Sequence, residues 1–328
     1  MALSASSRRG FCRVTLAAGM LVGALLPLRT VLAQPAPVKA PLTLVEVNRM
    51  NEAAFVAAFG DTYELSPWVA KVAYAKRPFP TVTALHQALA DAFGAVRREQ
   101  QQAFFRRLSD IGDRTVKAEN ITAASKLEQS VSGVDSLTEA DHERLKKLNK
   151  AYRDKFDMSF TIANRRNTQD TIFTQFERRL SNDLATELAI AIQEEFFITR
   201  LRVAEQVLGE GMPRVYGDLT AHVLNTVVGQ PANGMAIDLF EMSGDTGRKV
   251  AQTTTNIDGR ADIMVGRPLP NGRYELRLAM ADYFRKLGAA LGSPPFFDVV
   301  TIRLYLDNPE GSIHVPVACS PWSYAMYR

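Results

Sequence analysis

At Gly209-Glu210-Gly211-Met212-Pro213 the spacing of the apolar residues changes, and with it the kind of core the chain can build. From Val45 to about Leu208 apolar residues recur at helical spacing; beyond Pro213 they alternate. A helix repeats its buried stripe about every 3.6 residues and a strand every second residue, so one segment cannot serve both. The chain therefore reads as multidomain: an all-α N-terminal domain over 45–208, a linker over 209–216, and an all-β domain over 217–328. At 328 residues it is long enough for a core in each.

Within the first half, Asn51 is placed to cap a helix running to Phe59, and further helical patterns cover 83–93, 96–108, 138–156, 168–180 and 181–207. Thr138 supplies a cap, Glu139 and Asp141 put acids in the first turn, and Lys146, Lys147 and Lys150 follow, as the helix dipole favours. In the second half strands are expected over 219–224, 236–240, 249–255, 272–278 and 299–305. Turn pairs at Asn233-Gly234, Asp258-Gly259 and Asn271-Gly272 separate them. Short strands at such intervals predict a β-sandwich.

The front of the chain reads as an address. Ser7-Arg8-Arg9-Gly10-Phe11 is a twin-arginine pattern, an apolar run follows over 14–28, and Val31-Leu32-Ala33 offers small residues for cleavage. Residues 1–33 are thus expected to direct export to a periplasm or the exterior, with 34–44 a flexible leader. The apolar run is short beside the ~20 residues of a membrane span. Setting aside Arg8, Arg9, Arg13 and Arg29 lowers the 39 basic residues to 35, equal to the 35 acids, so the pI near 9.0 is no argument for nucleic acid as a partner. Cys12 falls in the same segment, which leaves Cys319 without an internal disulfide partner.

Specific stretches of the β half carry a family resemblance. They are Leu219-Thr220-Ala221-His222-Val223-Leu224-Asn225-Thr226, Thr255-Asn256-Ile257-Asp258-Gly259-Arg260 at an expected hairpin, Tyr283-Phe284 in a helix, Phe296-Phe297, Ile313-His314-Val315-Pro316, and Ser320 through Arg328. Together they resemble 5-hydroxyisourate hydrolases, the enzyme branch of the transthyretin family. The resemblance implies hydrolytic ring opening by His222, Arg260 and His314, with Tyr327 and Arg328 at the substrate, in a channel between subunits of a homo-oligomer, a tetramer. Such a reaction needs a base for water, a cation or donor for the oxyanion and a grip on the ring. Family enzymes end in Tyr-Arg-Gly-Ser, whereas this sequence stops at Tyr327-Arg328, so either activity is reduced or the Arg328 carboxylate takes the place of the serine hydroxyl.

The helical half resembles 2-oxo-4-hydroxy-4-carboxy-5-ureidoimidazoline (OHCU) decarboxylases through Phe59-Gly60-Asp61-Thr62-Tyr63-Glu64-Leu65-Ser66-Pro67-Trp68, Arg77-Pro78-Phe79, Ser125-Lys126-Leu127-Glu128-Gln129, Phe160-Thr161-Ile162-Ala163 and Ile198-Thr199-Arg200-Leu201-Arg202. The resemblance implies a substrate pocket of Ser125, Glu128, Gln129, Phe160, Ile162 and Arg202. The family's proton-transferring histidine, in a His-Pro-(Asp/Glu)-Leu motif, aligns with Leu108-Ser109-Asp110-Ile111, and leucine cannot donate a proton. Three readings stay open: an impaired site, different use of Glu128, or a binding scaffold. His86 and His142 read as surface histidines on helices.

The fused arrangement implies urate degradation, with 5-hydroxyisourate and OHCU as small-molecule substrates and neither cofactor nor metal required. The rival reading is an exported transthyretin-like binding protein for a small heterocycle, without turnover.

Overall fold

The computed structural model describes residues 40–117, 120–134 and 137–327; the expected targeting segment, most of the leader and Arg328 lie outside the described residues. Helices α1 (Leu44–Arg49), α2 (Glu52–Phe59), α3 (Pro67–Tyr74), α4 (Val82–Gly94), α5 (Arg98–Arg107), α6 (Ala123–Val131), α7 (Glu139–Phe156), α8 (Gln169–Arg179) and α9 (Leu184–Gln206) build the first half. The side chains of Thr43, Asn51, Thr81, Thr122, Thr138, Thr168 and Asp183 each accept a first-turn amide, which explains why helices start where they do. Phe55, Phe59, Phe93, Phe105, Tyr152 and Phe176 are fully buried among these helices.

Three local expectations change. The short α3 and α6 did not stand out in the apolar pattern, since eight or nine residues give little more than two turns. Leu42–Thr43, expected in a loose leader, is strand β1 and pairs in parallel with β2 (Val207–Leu208) at the far end of the domain. The start of the linker is docked too: the carbonyls of Glu210 and Gly211 accept the amides of Val82 and Thr83 at 2.9 and 3.1 Å. Gly211, at φ +62°, leaves no room for a Cβ, which would stand 2.6 Å from that of Thr81.

His86 is not a surface residue. It is 2% exposed, its ring meets Phe196 edge-on at 4.6 Å between centroids, and its Nε2 lies 3.1 Å from Thr199 Oγ1. That hydroxyl donates to the Glu195 carbonyl at 2.9 Å, so it accepts from Nε2–H. Burial, reinforced by the nearby Arg200 charge, lowers His86 to about 4. Its helix carries apolar residues on enough of its circumference to bury position 86, which a polar residue type concealed.

Strands β3 (Asp218–Asn225), β4 (Gln230–Pro231), β5 (Ala236–Ser243), β6 (Thr246–Thr254), β7 (Arg260–Val265), β8 (Gly272–Leu278), β9 (Val300–Leu306), β10 (Ser312–Ser320) and β11 (Ser323–Met326) form two sheets, with α10 (Met280–Lys286) between β8 and β9 in sequence. One sheet runs β11-β10-β3-β4 with β7 also on β3; the other runs β6-β5-β8-β9. Val223, Ile237, Leu239, Leu276, Val315 and Val317 are buried between them, so the expected sandwich stands. The expected hairpin at Asp258-Gly259 does not. The turn is tight, with Gly259 at φ +72° and its amide 2.8 Å from the Asn256 carbonyl, but it carries the chain from β6 in one sheet to β7 in the other. Turn chemistry is local; the choice of strand partner is not.

From Ala40 onward the chain forms one compact unit. Asn271 joins the halves: its carbonyl accepts from the Thr168 amide at 3.0 Å and the Thr171 hydroxyl at 2.9 Å, and its amide donates to the Arg166 carbonyl at 2.7 Å. Beside it Glu310 receives hydrogen bonds from both Arg166 and Arg200. Among the described residues no helix is long and apolar enough to cross a membrane.

Candidate active sites

Two sites follow from the geometry, one in each half. In the helical half a cavity is lined by Glu64, Leu108, Ser109 and Ile111 on one side, by Ser125, Glu128 and Gln129 of α6, by Phe160 and Ile162, and by Glu195, Ile198 and Arg202 of α9. All six residues expected at this site are therefore brought together, and the aligned Leu108 lies in its wall. Arg202 donates from Nε and Nη2 to the two Glu128 oxygens at 2.9 and 2.7 Å, and from Nη2 to Ser125 Oγ at 2.8 Å. Burial works against the Arg202 charge, but the paired hydrogen bonds and charge of Glu128, with Glu195 and Glu64 behind, hold its proton more tightly than usual. The guanidinium is thus a fixed cation at neutral pH, and its Nη1 donates to the Asp61 and Thr62 carbonyls at 3.4 and 3.1 Å, which fixes its position in the wall.

The rest of the wall is locked in place. Phe160 stacks on Phe176 at 3.7 Å between centroids, and Gln129 Oε1 accepts the Gly112 amide at 3.1 Å. The carbonyl of Leu108 accepts from Arg153 Nη2 at 2.7 Å, and Arg153 also holds Asp110 at 2.7 Å, which sets the loop that presents Leu108. Gly112 turns this loop at φ +72°; a Cβ there would come within 2.6 Å of Leu145 Cδ2.

Sequence reasoning gave no role to two buried carboxyls. Glu64 accepts from the Thr122 amide, the Thr122 hydroxyl at 2.8 Å and the Ser125 hydroxyl. Glu195 is 3% exposed, and its Oε1 has no hydrogen-bond partner among the described residues. Burial chiefly, with Glu128 and Glu64 adding to it and Arg202 opposing, raises Glu195 to about 8. The available signal was spacing: Glu195, Ile198 and Arg202 fall at i, i+3 and i+7, one face of a helix.

In the β half, His222, Arg260 and His314 come from β3, β7 and β10 to one sheet. His222 stands directly opposite Arg260 in the antiparallel β3–β7 pair, and His314 is level with Thr220 in the parallel β3–β10 pair. The imidazole centroids of His222 and His314 are 6.3 Å apart, and Thr220 Oγ1 lies 2.9 Å from His314 Nδ1. Along β3, Leu219, Ala221 and Val223 are buried while Thr220, His222 and Leu224 are not, so the histidines occupy the sheet's outer face. The structure thus presents a half-exposed imidazole, an exposed imidazole and a guanidinium side by side. Tyr327 follows β11 and is 70% exposed.

Among the described residues one group has metal-ligand spacing, Glu139, His142 and Glu143 on α7. His142 Nε2 already lies 3.2 Å from the Gly112 carbonyl.

Comparison with known proteins matches the two halves of the chain to two different families. Residues 48–204 match the family model for OHCU decarboxylase, and residues 219–328 that for the HIUase/transthyretin family. A Haloferax volcanii 2-oxo-4-hydroxy-4-carboxy-5-ureidoimidazoline decarboxylase is 38% identical over 169 residues, 52% of this chain and 98% of its own length. A Deinococcus radiodurans 5-hydroxyisourate hydrolase is 45% identical over 112 residues, 34% of this chain and 93% of its own. Among solved structures, one described as (S)-allantoin synthase is 27% identical, covers 88% of this chain and 99% of its own, and superposes with a TM-score of 0.49. By these relatives and the two family models, the chain belongs to the OHCU decarboxylase family over its helical half and to the HIUase/transthyretin family over its β half.

Proposed function

We propose that this chain is a bifunctional enzyme of urate degradation, with 5-hydroxyisourate hydrolysis on the β half and OHCU decarboxylation, towards (S)-allantoin, in the helical half. The observation that carries this is the meeting of His222, Arg260 and His314 on one sheet face from three distant sequence positions. A neutral imidazole of the pair accepts a proton from water, Arg260 faces the oxyanion that forms at the attacked carbonyl, and Thr220 fixes the orientation of His314. Tyr327 adds to the substrate's surroundings; Arg328, expected beside it, lies outside the described residues. In the helical half Arg202, held by Glu128 and Ser125, takes the substrate carboxylate, and Gln129, Phe160 and Ile162 enclose the ring.

Assembly and location belong to the same proposal. Leu224 shares the outer face with His222, and Trp322, Tyr324 and Met326 are also exposed, from 40% to 61%. Apolar surface beside a polar site favours burial against a second copy, so the β half forms a homo-oligomer, a tetramer, with the site at its interface. The Arg8-Arg9 segment directs export to the periplasm or beyond; changing both to Lys should leave the protein in the cytoplasm, and unimpaired export of that variant would refute the reading.

The test of the hydrolase reading is direct. Freshly generated 5-hydroxyisourate should disappear faster with the protein than in buffer, and His222→Asn should return the rate to the buffer value; equal rates with and without protein would refute it.

A further inference from the structure

Three carboxyl groups surround one guanidinium in the helical cavity, and two of them are spent. Glu128 places both oxygens on Arg202, and Glu64 is saturated by Thr122 and Ser125. Glu195 is buried, lines the same cavity two turns before Arg202 on α9, and has an oxygen without a partner among the described residues. Buried polar atoms are nearly always paired, so an oxygen in a cavity wall with no protein partner is placed to bond whatever occupies the cavity.

We propose that Glu195 is the proton donor of the decarboxylase site, performing the step for which Leu108 is unsuited. This rests on the decarboxylase reading of the helical half. Three carboxylates around one cation leave an excess of negative charge in a pocket largely shielded from water, and one acid keeps its proton to relieve it. The acid with the fewest hydrogen bonds is Glu195. The groups facing it are Arg202 on its own helix, Glu128 on α6, and Glu64 and Tyr63 between α2 and α3. Burial chiefly, with the Glu128 and Glu64 charges adding and Arg202 opposing, holds it protonated up to about pH 8.

The step balances with solvent water as the only further reactant. The bond from the ring to the substrate carboxylate breaks, CO₂ leaves, and the electron pair passes into the imidazoline ring. The Glu195 O–H bond breaks and its proton bonds to the ring carbon that carries the pair. Water then returns a proton to the Glu195 carboxylate, and the hydroxide so formed combines with the released CO₂ as bicarbonate. Because the donor is fixed to one wall while Arg202 fixes the departing carboxylate, the proton arrives on one face and one enantiomer forms.

The experiment compares the full-length chain with Glu195→Gln, which keeps size and polarity but has no transferable proton, using freshly made OHCU. The variant is expected to lose ~10²–10⁴-fold in kcat, with KM within a few-fold and the enantiomeric excess of the product lost. The kcat of the unaltered chain should fall as pH rises through about 8. A variant that keeps its rate and stereoselectivity, in a chain that does accelerate decarboxylation, overturns the role of Glu195 alone. A full-length chain that does not accelerate decarboxylation at all overturns the decarboxylase reading together with it. Should Glu195→Gln fail to fold, the pH profile of the unaltered chain decides: a fall above about 8 supports the proposal and a flat profile refutes it.

Discussion

Arg202 and Glu128 meet in a two-pronged ion pair, 2.9 and 2.7 Å across, at the floor of the helical cavity, with side chains 9% and 11% exposed. Removing one member of such a pair leaves an uncompensated buried charge, which typically costs ~3–5 kcal/mol. Glu128→Ala should therefore lower stability by roughly 3 kcal/mol, somewhat reduced because Glu64 Oε2 stands 3.7 Å from Arg202 Nη1. OHCU turnover should collapse while 5-hydroxyisourate hydrolysis persists at temperatures below the melt. Parallel assays and a thermal melt check both; equal loss of the two activities in folded protein contradicts the assignment.

On the β half the stability expectation is the reverse. His222 and His314 sit on an outer face, where substitutions away from special features usually change stability by less than ~0.5 kcal/mol. His222→Asn and His314→Asn should melt with the unaltered chain yet lose ~10²–10⁴-fold in hydrolysis. A variant with a normal melt and normal hydrolysis would remove that histidine from the mechanism.

His86 should make the helical half acid-sensitive. Its folded value, about 4, lies below the ordinary 6.5, so the folded state resists the protonation that the unfolded chain accepts. The stability it provides is complete above about 6.5 and is lost as pH falls through 4, on the order of 3 kcal/mol in all. Denaturant titrations of the unaltered chain and His86→Leu at pH 7 and pH 4.5 isolate this contribution from that of the carboxylates. The difference between the two proteins should shrink or reverse at the lower pH; a constant difference contradicts the burial of a neutral imidazole.

Glu310 draws Arg166 and Arg200 of the helical half onto the β half, and its side chain is 19% exposed. Glu310→Gln would leave two guanidiniums without their shared anion, lowering stability by roughly 2 kcal/mol, less than a fully buried pair because water still reaches the site. Calorimetry should show the loss; an unchanged melt would mean that the halves are joined chiefly through Asn271.

Three helical starts were legible because one residue decides each: Asn51, Thr138 and Thr168 accept first-turn amides. The change from helices to strands around Gly209 was legible for a similar reason, since it reflects the backbone period itself. What escaped was set at long range. The partner of β7 depends on β3, some 40 residues earlier, so the turn at Gly259 could not reveal it. The burial of His86 depends on Phe196 and Thr199, over a hundred residues later. Motif positions such as His222, Arg260, His314, Glu128 and Arg202 were visible through resemblance, whereas Glu195 was not. Its significance lies in a hydrogen bond it does not make, and no residue type records that.

The central claim is that one chain performs two successive reactions, and one measurement addresses it. Urate is oxidised in situ to 5-hydroxyisourate, the full-length protein is added, and absorbance and circular dichroism are followed together. The account predicts that 5-hydroxyisourate and then OHCU both disappear faster than in buffer, with a dichroic signal growing from a single enantiomer of allantoin. Decay of 5-hydroxyisourate at the buffer rate, with an optically silent product, would contradict it.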